Sequence, residues 1–102
     1  MATGLRVEDR LDGATNFSSW KARIVLLFQE NELWDIVEGT TATPVVAIPT
    51  DPTALAAFTK KDIKAKRILL DAVKDHILPH VSSKTYVHEM WRALKKLVSE
   101  FQ

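Results

Sequence analysis

The residues with the most chemical potential are three histidines, His76, His80 and His88, set among acids and hydroxyls. His76 and His80 are four apart, a spacing that suits a metal ion on a regular helix. Pro79 lies between them and breaks the regularity, and no third ligand is evident, so a metal site is not expected. His88-Glu89-Met90-Trp91-Arg92 begins like a zinc-protease helix, whose second histidine stands four positions after the first. That position is Arg92 here, which leaves one ligand of two. No Gly-x-Ser-x-Gly elbow supports a hydrolase triad. With three glycines in all, there is no phosphate-cradling loop. The absence of cysteine excludes disulfides, cysteine-based zinc sites and thiol nucleophiles within these residues. No catalytic, cofactor-binding or metal residue is assigned, no cofactor is expected, and neither is enzymatic activity.

A second kind of chemistry is charge. Lys60, Lys61, Lys64, Lys66 and Arg67 form a basic run, in which Lys60, Lys64 and Arg67, with Lys74 beyond, share one helical face interrupted by Asp71. Such a face can hold phosphates electrostatically, without reading sequence. Lys60, Lys64 and Arg67 are therefore the candidate contacts to nucleic acid. The competing reading is the solvated back of an amphipathic helix, since no aromatic residue interleaves the run to stack on bases. Arg92, Lys95 and Lys96 add a second patch. The net charge is +1, yet it is unevenly spread: residues 1–52 carry four bases against eight acids, and residues 53–102 carry ten against five. This asymmetry can bias head-to-tail association of identical chains.

The elements that must carry these residues read as helices. The 102 residues suffice for one domain with one core, without disulfides or metal. Residues 1–11 are polar and loose, with Leu5, Val7 and Leu11 available to lie on the core, and Asp12-Gly13 marks a turn. Asn16 is expected to cap a helix over 17–30, because Phe17, Trp20, Ile24, Leu27 and Phe28 recur in steps of three and four. Asn16-Phe17-Ser18 is also a formal glycosylation sequon, read here as a helix start. Leu33, Trp34, Ile36 and Val37 predict a short second helix, ended by Gly39. An extended loop follows at about 39–51, with Pro44 and Pro49, able to cover apolar surface with Val45, Val46 and Ile48.

Asp51-Pro52 is an acidic cap followed by proline at the first helical position. It predicts a helix over about 52–77 with a break near 59–61, stopped by Pro79 with Leu78 extended. Ser82, Ser83 and Thr85 offer caps for a last helix, whose stripe is Val87, Trp91, Leu94, Val98 and Phe101, widened by Met90 and Leu97. That stripe runs to the end of the sequence, which suggests an N-terminal piece of a longer protein. The longest apolar run, residues 24–28, is far too short to span a bilayer. The expected fold is all-α: a compact bundle of four to five helices with one long proline-containing loop. Its core is assigned to Phe17, Trp20, Ile24, Trp34, Phe58, Ile68, Trp91 and Leu94. Tyr86 and Phe101 fall near helix ends and are the candidate partner contacts.

The order of these motifs is specific. Leu11-Asp12-Gly13, Asn16-Phe17, Trp20 and Leu33-Trp34-Asp35-Ile36-Val37 resemble the start of Gag polyproteins of copia-type long-terminal-repeat retrotransposons. That family typically reads Leu-x-Gly-x-x-Asn-Tyr-x-x-Trp, then a helix, Leu-Trp-x-x-Val and a proline-bearing loop. Phe58, Asp62, Ala65 and Ile68-Leu69-Leu70 continue the likeness, as do Ile77, Val81 and Thr85-x-x-x-Glu89-x-Trp91-x-x-Leu94. The resemblance covers about residues 10–100. Phe17 departs from the usual Tyr, Phe58 from Trp, and Tyr86 from Ala.

The resemblance implies a structural protein: residues 1–102 as one capsid N-terminal-like domain of a longer Gag polyprotein. It implies self-association into cytoplasmic virus-like particles that package the element's RNA. The partners would be further copies of the chain, and RNA mainly through a downstream region outside these residues. Neither a membrane nor a small-molecule substrate is implied. Domesticated copies of such elements exist, so a helical protein-interaction module of a host protein stands as the alternative, with weak nucleic-acid binding beside it.

Overall fold

A computed structural model describes residues 9–39 and 48–100. Five α-helices are present among them: α1 (Phe17–Glu30), α2 (Trp34–Val37), α3 (Pro52–Asp71), α4 (Leu78–Val81) and α5 (Val87–Glu100). A 3₁₀ turn, Ala14–Asn16, leads into α1. The fold is all-α. The one strand-like pairing among the described residues is an isolated parallel bridge, Leu11 with Val73.

α1 buries Trp20, Ile24 and Phe28, one residue per turn on one face. Its start differs from the expected cap. The Asn16 carboxamide turns away from the helix: Oδ1 accepts from Asp12 N and Gly13 N, and Nδ2 donates to Arg10 O at 2.9 Å. It thus closes the preceding turn, and the 3₁₀ turn winds the chain into α1.

The end of α1 is a Schellman-type stop. Glu32 N donates to Gln29 O and Leu33 N to Phe28 O, at 3.1 and 2.7 Å. The residue in the left-handed conformation is Glu32, with φ 59°. Leu33 and Phe28, which meet across this stop, are both buried. α2 ends as its sequence suggests: Gly39 has φ 92° and its N–H donates to Asp35 O.

Residues 40–47, most of the expected proline-containing loop and both Val45 and Val46, lie outside the described residues, as do Leu5 and Val7. Ile48 packs partly buried against the core.

Asp51 caps α3 as expected, accepting from Ala54 N at 3.0 Å, with Pro52 at the first helical position. The expected break at 59–61 is absent and the helix is continuous. It stops at Asp71, six residues short of the expected 77, for a tertiary reason. Ala72 O is taken by two donors from the N-terminal side, Leu11 N at 2.8 Å and the Trp20 indole N–H at 2.7 Å. Lys74 N then donates to Leu11 O. These contacts draw residues 72–74 out of the helix.

Pro79 does not act as a stop. It occupies the first turn of α4, where its missing N–H is not needed, and Leu78 opens that helix instead of extending. α5 buries Val87, Met90, Trp91, Leu94 and Val98, five positions of one stripe. Buried residues of every helix join one core cluster, and Leu11 sits in it at 0% exposure.

Candidate functional site

Trp91 is where the core converges. Its ring stacks on Trp20 at a centroid distance of 5.8 Å and meets Trp34 and Phe28 edge-on at 5.7 and 6.2 Å. Offset and edge-to-face pairs of this kind add about 0.5–1.5 kcal/mol each beyond area burial. Its indole N–H donates to the Glu38 carboxylate, which also accepts from Lys95 Nζ at 3.0 Å. One acid just beyond α2 is thereby tied twice to α5.

A second polar tie holds the start of α5. Asp62 is the one buried charged residue among those described, 4% exposed. Its Oδ1 accepts from Val87 N at 2.8 Å, in place of the expected Ser or Thr cap. Its other carboxylate oxygen lies 3.3 Å from Lys66 Nζ, which also donates to Thr85 O at 3.0 Å. Glu89 reaches back to accept from Tyr86 N. The helix start is thus satisfied from α3 and from its own first turn. An acid inside the apolar stripe Phe58–Asp62–Ala65–Leu69 was the available sequence signal for this cap.

Of the residues assigned to the core, Trp20, Ile24, Phe58, Ile68, Trp91 and Leu94 are buried, while Phe17 and Trp34 are half-buried at its rim. Phe17 lies 5.8 Å from Trp20, and Trp34 stacks on Phe28 at 6.4 Å. Tyr86 is half-buried between Phe58 and His88, at 6.0 and 5.7 Å. Phe101 lies outside the described residues. The zinc-protease-like stretch is committed to structure: His88 stacks on Tyr86, Glu89 accepts a backbone hydrogen bond, and Trp91 is core.

His76 and His80 line a small apolar cavity of about 270 Å³ together with Asp12, Ile77 and Leu97. His76 Nε2 sits 2.7 Å from Asp12 O and 3.5 Å from Asp12 Oδ1. That pairing is the observed use of His76. No group of three potential ligands is close enough for a metal among the described residues.

Lys60, Lys64 and Arg67 are exposed on α3 at helical steps of four and three. Lys74 is not on that face, because α3 ends before it. Two ion pairs join the acidic and basic halves within one molecule: Lys61 with Asp35 at 3.3 Å and Lys95 with Glu38 at 3.0 Å. Part of the charge asymmetry is therefore neutralised internally. No described helix is long and apolar enough to cross a membrane.

The geometry defines an all-helical domain whose polar side chains brace helix ends, and whose free chemistry lies in exposed charged faces. The chain belongs to the gag-polypeptide family of LTR copia-type, whose profile matches residues 24–100. That membership gives it a Gag-type structural role. The match spans α2, α3, α4 and α5 and begins within α1, so residues 11–20 of the resemblance lie ahead of it. Those residues are still part of the same core, through the Leu11 bridge and the Trp20 hydrogen bond to Ala72. No curated protein and no solved structure matches the chain at a significant level.

Proposed function

We propose that the chain is the capsid-forming N-terminal part of a longer Gag polyprotein. It self-associates in the shell of cytoplasmic virus-like particles that enclose the element's RNA. The observation that carries this reading is membership of the copia-type family over residues 24–100. The packing supports it: the aromatic rings close the core, and charged helix faces are left for contacts between copies. Such contacts can be weak singly, since many copies add avidity. RNA is held mainly by a downstream region of the polyprotein, and neither a membrane nor a small molecule is required. Light scattering at rising protein concentration, with and without RNA, tests it. Growth beyond the monomer is expected; a species that stays monomeric in every condition contradicts it.

A second reading has one observation of its own, the exposed face of Lys60, Lys64 and Arg67 on α3. If that face binds nucleic acid, a labelled single strand binds at low salt and is released steeply as salt rises. Lys64→Glu with Arg67→Glu weakens that binding steeply. Binding unchanged in the double variant removes this reading.

A further inference from the structure

Two surface features project beyond the core and carry charges outside the internal ion pairs. The first is a knob. Leu26, on the outer face of α1, is 64% exposed. Glu30 follows one turn later on the same face, and Glu32 stands just past the helix end. Both acids are exposed, and neither forms an ion pair with a described residue. The nearest cation on this face, Arg23, is engaged with Asp9.

The second feature is an open groove of about 440 Å³ between α3 and the segment that leads into α5. Ile63, 57% exposed, supplies an apolar wall with the half-buried Leu70, above a floor made by the buried Met90, and Lys66 also lines the groove but is paired with Asp62. Arg67 and Lys84 bring two cations that form no ion pair with a described residue, and Asp71 opposes them with one acid.

We propose that the Leu26–Glu30 knob of one copy docks in this groove of the next. The inference rests on the self-association proposed above and names its contact. Leu26 meets Ile63 and Leu70, while Glu30 and Glu32 face Arg67 and Lys84. The apolar anchor supplies the affinity, and the opposed charges set orientation and encounter rate. RNA fits the groove less well, because its lining holds no aromatic ring for a base and Asp71 repels phosphate. The two patches share no residue. The contact is therefore heterologous: each copy offers one knob and one groove, and growth continues until a ring closes or a filament extends.

Sedimentation of the 102-residue chain, its Leu26→Ser and Arg67→Glu variants, and a mixture of the two variants tests the contact. Both positions are exposed, so both variants are expected to fold, which circular dichroism checks. Each variant alone should associate roughly tenfold or more weakly than the parent chain. Their mixture should give a one-to-one dimer and nothing larger, because Leu26→Ser keeps a groove, Arg67→Glu keeps a knob, and the remaining ends are dead. If the parent chain associates and either variant matches it, or the mixture forms no dimer, this contact is overturned while self-association stands. A parent chain that is monomeric up to about 1 mM overturns both. Arg67-dependent binding of an RNA oligonucleotide, with self-association unaffected by Arg67→Glu, assigns the groove to RNA and also overturns it.

Discussion

Replacing Asp62 with alanine tests how α3 holds the start of α5. The carboxylate is buried, and its hydrogen bond to Val87 N is 2.8 Å long. Removing it leaves a buried N–H in the first turn of α5 without a partner, which costs about 1–3 kcal/mol. The loss of a helix cap, about 0.5–2 kcal/mol, describes the same bond from the helix side and is not added. Breaking a fully buried ion pair would cost about 3–5 kcal/mol, because one charge is stranded. Lys66 escapes most of that, since its side chain is 29% exposed and keeps Thr85 O as an acceptor. The expected loss for Asp62→Ala is thus about 2–3 kcal/mol, a large share of a small domain's stability. Asp62→Asn keeps an acceptor oxygen and should cost about half as much. Urea unfolding followed by circular dichroism reads this as a lower midpoint at unchanged slope. A loss below about 0.5 kcal/mol for Asp62→Ala, the range of an ordinary surface change, refutes the capping role. A Lys66→Met loss equal to that of Asp62→Ala moves the weight from the cap to the ion pair.

Trp91→Ala should cost about 3–5 kcal/mol in the same assay, because it removes the ring on which Trp20, Trp34 and Phe28 converge; an unchanged urea midpoint would show that ring to be dispensable. Glu32→Gly should raise stability by about 0.5–1 kcal/mol, as glycine relieves the left-handed strain at the end of α1 against a modest gain in unfolded-chain entropy. A lower midpoint there would contradict the assigned stop.

The helices were legible in the sequence wherever a local signal governed them. The periodic stripe of Phe17 to Phe28, the Asp51-Pro52 start and the Gly39 stop depend on neighbours a few residues away, and each reads directly. The errors fall where distant groups decide. Nothing local tells that Ala72 O receives Leu11 N and the Trp20 indole, so the local pattern carries α3 six residues past its true end. Asn16 has a cap residue's chemistry, but the carbonyl of Arg10 and the amides of Asp12 and Gly13 claim its side chain. Pro79 reads as a stop or as a first-turn residue with equal local justice, and only the packing of α4 against α5 separates the two. The surface was legible as charge and not as partnership. Lys61 and Lys95 look free in a one-dimensional tally, yet both pair with acids of the other half. Leu26 and Ile63 belong to helices whose stripes are well filled without them, and only folding shows how far they project.

The proposed function stands on association of this Gag-family chain with copies of itself. Sedimentation equilibrium of the chain over a wide concentration range, at low and high salt, tests it most directly. The weight-average mass should climb with concentration past the dimer, and climb less at high salt because opposed charges steer the contact. A mass fixed at the 11.5 kDa monomer across the whole range would contradict it.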